Sequence, residues 1–280
     1  EKNCVHNHAD EIAQMGKNAL IVTGRNSSKK NGSLDDVINA LKSKNIKYTV
    51  YDGVEENPSV ETVMEAREIG VKAGCDFIIG IGGGSPMDAA KAIGVMIYHK
   101  NENKDFLYKS VSNSQSLPVI EVPTTCGTGS EVTTVAVLTV HNEKTKKSMS
   151  HRIFPRMALV DEKYIKNAPL KVICDTAIDA LAHIVESCIN NNATEYSKMF
   201  AKEGLEAWSK FKDVLLGNRE ATDEDFHNMM YASTLAGMCI AHAGTSLPHG
   251  LSYPITYELG IPHGKAVGYF LPGYIRLHYC

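Results

Sequence analysis

The sequence predicts an α/β domain built on a parallel sheet, followed by an all-helical domain, and three observations carry that reading. Before about residue 160, short runs rich in Val and Ile alternate with helix-length stretches, as parallel strands joined by crossover helices do. Beyond ALVD at 158–161 the apolar periodicities lengthen and stay helical. No internal repeat, low-complexity tract or long linker separates the halves. The expected organisation is an α/β domain over 1–161 and a helical domain over 162–280, meeting at a cleft, a common setting for a small-molecule site.

The elements follow in order. ALIVTG (19–24) is the first strand, SLDDVINALKSKN (33–45) a helix, YTVYDG (48–53) a strand and SVETVMEAREIGVKAG (59–74) a helix. CDFIIGIGGG (75–84) is a strongly apolar strand that runs into glycines. The next helix is predicted to open with Ser85 as its N-cap, Pro86 in its first position and Asp88 completing a capping box. VIEV (119–122) supplies another strand. In the second half, VICDTAIDALAHIVESCINN (172–191), EYSKMFAKEGLEAWSKFKDVLLGN (195–218) and DEDFHNMMYASTLAGMCIAHAG (223–244) read as long helices.

Composition removes several classes of function. The net charge of -3 comes from interspersed charges, and the basic runs RNSSKK and KTKK are too short for a nucleic-acid footprint. No apolar run approaches the roughly 18 residues of a membrane span, and the polar start does not resemble a secretory signal, so a cytoplasmic setting is expected. Seven cysteines with no CxxC pair fit reduced thiols better than a disulfide framework.

Three stretches could handle phosphate. In GIGGGSPMDAAKAIG (80–94), Gly82, Gly83 and Gly84 would let backbone amides approach an anion at a helix N-terminus, although a tight strand-to-helix turn that binds nothing explains them as well. VPTTCGTGSEVT (122–133) is dense in hydroxyls, and TGRNSSKKNGS (23–33) follows the first strand. In the helical half, Asp179 and His183 sit four apart on one helix face, and His249 and His263 each stand in a Pro-His-Gly triplet. Together they could bind a divalent cation. Periodicity by itself favours a plainer reading, because Asp175, Asp179, His183 and Glu186 share one arc opposite Ile178, Leu181, Val185 and Cys188, as on a solvated helix face.

The ordered motifs GIGGGSPMDAAKAIG, PTTCGTGSEVT, DALAH and HGLSYPITYELGIPHGKA resemble the iron-containing alcohol dehydrogenase family, from about Ala19 to the end. The resemblance implies a Rossmann-like, dinucleotide-binding first domain and a helical domain that holds one divalent metal, the fold shared with dehydroquinate synthase. It carries the metal ligands onto Asp179, His183, His249 and His263, for Fe(II) or, in some members, Zn(II), and makes these four the catalytic centre through the metal. Cofactor contacts would fall on Gly82, Gly83, Gly84, Ser85, Asp88, Thr124, Thr125, Thr128 and Asn57, with Lys147 a weaker match. Members selective for NAD tend to carry an acidic residue just after the first strand. Here Gly24, Arg25, Asn26 and Ser27 stand there, a set that could hold a 2′-phosphate, so NADP(H) is expected over NAD(H). Tyr253 replaces a histidine that some members use, and is expected to line the substrate pocket rather than act as a base. Cys126 replaces a small apolar residue and would put a thiol near the nicotinamide, whose susceptibility to oxidation depends on its exposure and pKa.

The implied activity is oxidation of short primary alcohols or diols, or reduction of their aldehydes, by hydride transfer with the metal as Lewis acid. A homodimer is the implied assembly. Against the family pattern the sequence reads as clipped at both ends, with the helical domain truncated at its C-terminus. Two rival readings are a metal- and NAD-dependent lyase or cyclase related to dehydroquinate synthase, and an inactive binding protein on the same fold.

Overall fold

The computed structural model describes residues 1–279. Parallel strands β1 (Asn18–Gly24), β2 (Lys47–Val54), β3 (Phe77–Gly82), β4 (Val119–Pro123) and β7 (Met157–Ala158) form one sheet in the order β2-β1-β3-β4-β7. Strands β5 (Val137–Val140) and β6 (Thr145–Ser148) form an antiparallel hairpin. Helices α1 (Cys4–Asn7), α2 (Ala9–Ala13), α3 (Ser27–Lys30), α4 (Ser33–Ser43), α5 (Val60–Ala73) and α6 (Gly84–Tyr98) belong to the same half of the chain. The sheet is covered on both faces. Leu20, Val22 and Ile78 pack into one apolar cluster and Ala19, Ile21, Phe77 and Ile79 into another. That two-sided burial is why β3, FIIGIG, is continuously apolar rather than alternating.

The second half is helical: α7 (Leu170–Ile189), α8 (Glu195–Leu215), α9 (Asp223–Ala243), α10 (Leu247–Leu259) and α11 (His263–Tyr279). Capping boxes start two of these helices, Thr194 with Ser197 at α8 and Thr222 with Asp225 at α9. Among the described residues no helix is long and apolar enough to cross a membrane.

Two local expectations are corrected. Helix α6 begins at Gly84 with Gly83 as N-cap and no side-chain cap, so Ser85 and Pro86 lie inside the first turn. Proline is tolerated there because the first helical N–H groups have no intrahelical acceptor to lose. The second correction concerns the boundary. The chain forms two compact units, Glu1–Thr124 with Thr134–Tyr164, and Thr125–Thr133 with Ile165–Cys280, so Thr125, Cys126 and Thr128 belong with the helices. Glycine makes that docking tight: a Cβ on Gly127 would stand 2.4 Å from Thr176 O on α7, and one on Gly129, at φ +58, 2.4 Å from Gly237 Cα on α9.

Candidate functional site

Helix α7 presents Asp179 and His183 one turn apart, α10 presents His249 from its first turn, and α11 begins with His263. Three imidazole Nε2 atoms converge on a single carboxylate oxygen: Asp179 Oδ1 lies 3.8 Å from His183, 3.4 Å from His249 and 3.8 Å from His263. The ligand atoms of Asp179, His249 and His263 all lie within 4.8 Å of one another. Donors about 2.0–2.2 Å from a tetrahedral ion stand about 3.4 Å apart, so these spacings fit a first-row divalent cation. Asp179 Oδ1 and His249 Nε2 are buried with no hydrogen-bond partner, which is costly unless something else satisfies them. The donor set and the two orphaned atoms both fit a metal.

Each imidazole is oriented through its other nitrogen. His183 Nδ1 lies 3.1 Å from Gly127 O, His263 Nδ1 3.4 Å from Ser252 Oγ, and His249 Nδ1 2.5 Å from Glu186 Oε1. With Nδ1 donating in this way, each Nε2 lone pair is left for the centre. The rings of His183 and His249 stack at 4.5 Å. Burial opposes ionisation of Asp179, but the three imidazoles outweigh it and hold its carboxyl well below the usual range. Burial also pushes the His183 pKa down, in keeping with a neutral ligand. For His249 burial works in the same direction, yet the flanking Asp179 and Glu186 carry its pKa up to about 9.

The polar arc of α7 is therefore not a solvated face, since Asp179, His183 and Glu186 are all buried. Glu186 was read only as part of that arc. Its spacing, three residues after His183 and seven after Asp179, was the available signal. His263 is the most open of the four, with 26% of its side chain exposed, and the Tyr253 ring lies 5.8 Å from it. Cys126 is buried beside Thr176 Oγ1 at 3.4 Å, and burial pushes its thiol up to about 11. That burial favours the neutral thiol over the reactive thiolate.

In the sheet unit Gly82, Gly83, Gly84, Ser85 and Asn57 lie at or just past the C-terminal ends of strands β3 and β2, the end of an α/β sheet where ligands bind. Gly82 ends β3, and Gly83 and Gly84 open α6 with no side-chain cap hydrogen bond at the helix N-terminus. Ser85 Oγ accepts the Asn57 N–H at 3.0 Å, and Asp88 accepts the Val137 N–H at 2.8 Å, so both already tie neighbouring segments to α6. Asn57 sits in the left-handed region at φ 56 and receives Lys146 Nζ at 2.8 Å. Lys147, the residue expected here, instead pairs with Glu143 and lies over the Tyr108 ring. Neighbouring residues on a strand face opposite ways, and the register puts Lys146 on the Asn57 side.

Thr124 N–H donates to Gly82 O at 2.8 Å, while the Thr125 hydroxyl is buried without a partner. Thr128 Oγ1 only caps its own turn, accepting the Ser130 N–H at 3.4 Å. Past the end of β1, Arg25, Asn26 and Ser27 are exposed. Nearby Asp52, at the end of β2, is paired with Lys29, and first Lys29 and then Arg25 hold its carboxyl below the usual range. Sequence reading did not single out this carboxylate.

Comparison with known proteins agrees with the geometry. The model of the iron-containing alcohol dehydrogenase matches residues 1–162, and that of the Fe-containing alcohol dehydrogenase family, C-terminal, matches residues 173–280. A long-chain primary alcohol dehydrogenase of Thermoanaerobacter ethanolicus is 32% identical over 94% of this chain and 66% of its own length. An NADPH-dependent butanol dehydrogenase of Clostridium saccharobutylicum is also 32% identical, over 94% of this chain and 68% of its own. The crystal structure of an iron-containing alcohol dehydrogenase from Thermotoga maritima superposes with a TM-score of 0.91 at 42% identity, covering 97% of this chain and 74% of that one. The chain thus spans about two thirds of the length of the curated relatives it matches first. With both halves matched and the fold shared, the chain belongs to the iron-containing alcohol dehydrogenase family.

Proposed function

We propose that the chain is a metal-dependent, nicotinamide-linked alcohol dehydrogenase acting on short primary alcohols, diols or their aldehydes. The observation that carries this reading is the convergence of three imidazole Nε2 atoms on one buried Asp179 oxygen. Asp179, His183, His249 and His263 hold Fe(II), with Zn(II) equally suited to the donor set. When bound, the metal supplies a Lewis acid for the substrate oxygen and the nicotinamide a hydride acceptor or donor.

The chain's own part is preorganisation. Asp179 contributes the single negative charge among the four ligands. Gly127, Glu186 and Ser252 fix the imidazoles so that the nitrogens need no rearrangement on binding. Substrate enters from the His263 side, the open one, with Tyr253 lining it. The uncapped N-terminus of α6 takes the pyrophosphate on its first N–H groups.

The cofactor preference proposed is NADP(H), through Arg25 with Asn26 and Ser27. Asp52 does not oppose this strongly, because Lys29 already neutralises it. A homodimer in the cytoplasm is the assembly and setting that fit this reading, and light scattering of the purified chain tests the first. No observation favours the cyclase or the inactive binding protein.

The test is elemental analysis of purified chain and of His263→Ala, with NADPH and NADH oxidation followed against short aldehydes. About one metal per chain, lost in the variant together with aldehyde-dependent turnover, is expected, with kcat/KM higher for NADPH. A chain that takes up neither iron nor zinc anaerobically would sink the reading, and equal or better use of NADH would sink the NADP(H) assignment.

A further inference from the structure

Glu186 is fully buried on α7, two turns beyond Asp179, and its carboxylate meets three donors. Oε1 lies 2.5 Å from His249 Nδ1, while Oε2 accepts the Ser246 N–H at 2.6 Å and the Ser246 hydroxyl at 3.1 Å. Ser246 Oγ in turn lies 2.7 Å from the Tyr274 hydroxyl on α11. One side chain on α7 therefore fastens the residue preceding α10, the ring that α10 presents, and through Ser246 the helix that begins with His263.

The three imidazoles do not have equivalent outer partners. His183 leans on a backbone carbonyl, His263 on a hydroxyl at 3.4 Å, and His249 alone on a carboxylate. A carboxylate on Nδ1 fixes the ring's tautomer and makes Nε2 a stronger donor. Nε2 of His249 is also the buried atom left without a partner, and the closest of the three to Asp179 Oδ1.

We propose that Glu186 is the positioning residue of the metal centre: it holds His249 with Nε2 aimed at the ion and locks the start of α10 to α7, so that metal affinity depends on a carboxylate that does not itself ligate. This rests on the metal-centre reading above. An amide could not replace it, because Gln offers one acceptor oxygen where three donors converge, and its NH2 would face a donor.

The test is competition of the apo chain for Zn(II) against a chelator, together with the visible absorption of the Co(II) form, for wild type and Glu186→Gln. The variant is expected to weaken Zn(II) binding by about 10–100-fold and to alter the Co(II) band, with its far-UV circular dichroism retained. Equal affinity and an unchanged Co(II) band in a folded variant overturn the proposal while leaving the metal centre intact. A wild-type chain that binds no Zn(II) overturns both.

A measurement that needs no variant guards against misfolding. In the Zn(II)-loaded, 15N-histidine-labelled wild type, one ligand imidazole should show a far-downfield Nδ1 proton, the mark of a short bond to a carboxylate. Ordinary Nδ1 proton shifts on every ligand imidazole would overturn the assignment.

Discussion

The two Pro-His-Gly triplets look alike in sequence, yet the structure predicts opposite results for alanine at their glycines. A Cβ on Gly264 would stand 1.8 Å from Asp175 O and 3.2 Å from Asp179 Cβ, both on α7. The first contact is with backbone, which cannot rotate away, so the start of α11 would have to withdraw by about 1.5 Å to reach van der Waals distance. His263 moves with it, because it is the adjacent residue. The cost is that of overpacking, about 1–3 kcal/mol, and a ligand displaced by about 1 Å is enough to lower a site's efficiency by about 100-fold.

Gly250 lies in the first half of α10, its φ is not positive, and a Cβ there would meet nothing within 4 Å. Gly250→Ala should therefore be neutral or stabilising by about 0.5–1 kcal/mol, the usual gain for alanine over glycine inside a helix. The assay is thermal unfolding and zinc content of the two variants side by side. Gly264→Ala should melt lower, at about 2–4 °C per kcal/mol lost, and retain less metal, while Gly250→Ala should match or exceed wild type in both. If Gly264→Ala kept wild-type melting and full metal, or Gly250→Ala did equal damage, the close approach of α11 to α7 would be wrong.

Two further outcomes follow from contacts away from the metal. Lys146→Ala should raise KM for the nicotinamide cofactor several-fold by releasing the Asn57 turn that is tied to Ser85 at the start of α6, whereas Lys147→Ala, which loses a half-exposed pair with Glu143 and a contact with the Tyr108 ring, should leave it unchanged. At the start of α9, Asp225 closes the capping box with Thr222 and takes both Arg219 NH groups, which hold its pKa below the ordinary carboxylate value. A depressed folded-state pKa contributes stability above the unfolded value of about 3.9, and that contribution disappears as pH falls through the folded value. Chemical denaturation of wild type and Asp225→Asn should therefore differ at pH 7 and converge below about pH 4, and a gap that stayed constant down to pH 2 would rule out the ion pair as its source.

Most of the sheet unit was legible because its central strands β1, β3 and β4 are buried on both faces, which leaves runs such as ALIVTG and FIIGIG with no other reading. Boundary details failed where backbone chemistry replaced side chains. At α6 an uncapped glycine start displaced the Ser85 capping box, which is what a helix N-terminus open to an anion requires. The hairpin lysines show how parity hides in a sequence, since Lys146 and Lys147 are neighbours that the register puts on opposite strand faces.

The metal centre shows a deeper limit of periodicity. A helical wheel separates polar from apolar arcs but cannot say what covers the polar one. On α7 that arc carries Asp179, His183 and Glu186, and its cover comes from α10 and α11, both with internal prolines, Pro254 and Pro272, that count against helix in a sequence reading. The two segments that turn a solvated-looking face into a buried one were therefore the least readable as helices. The resemblance, not the spacing, singled out Asp179, His183, His249 and His263, whose side chains the structure brings together. The partner of His249 stayed hidden, because a buried carboxylate with three donors and a solvated one occupy the same place on the wheel. Such a residue can be found only by asking which imidazole nitrogen remains to be satisfied after the metal has taken the other.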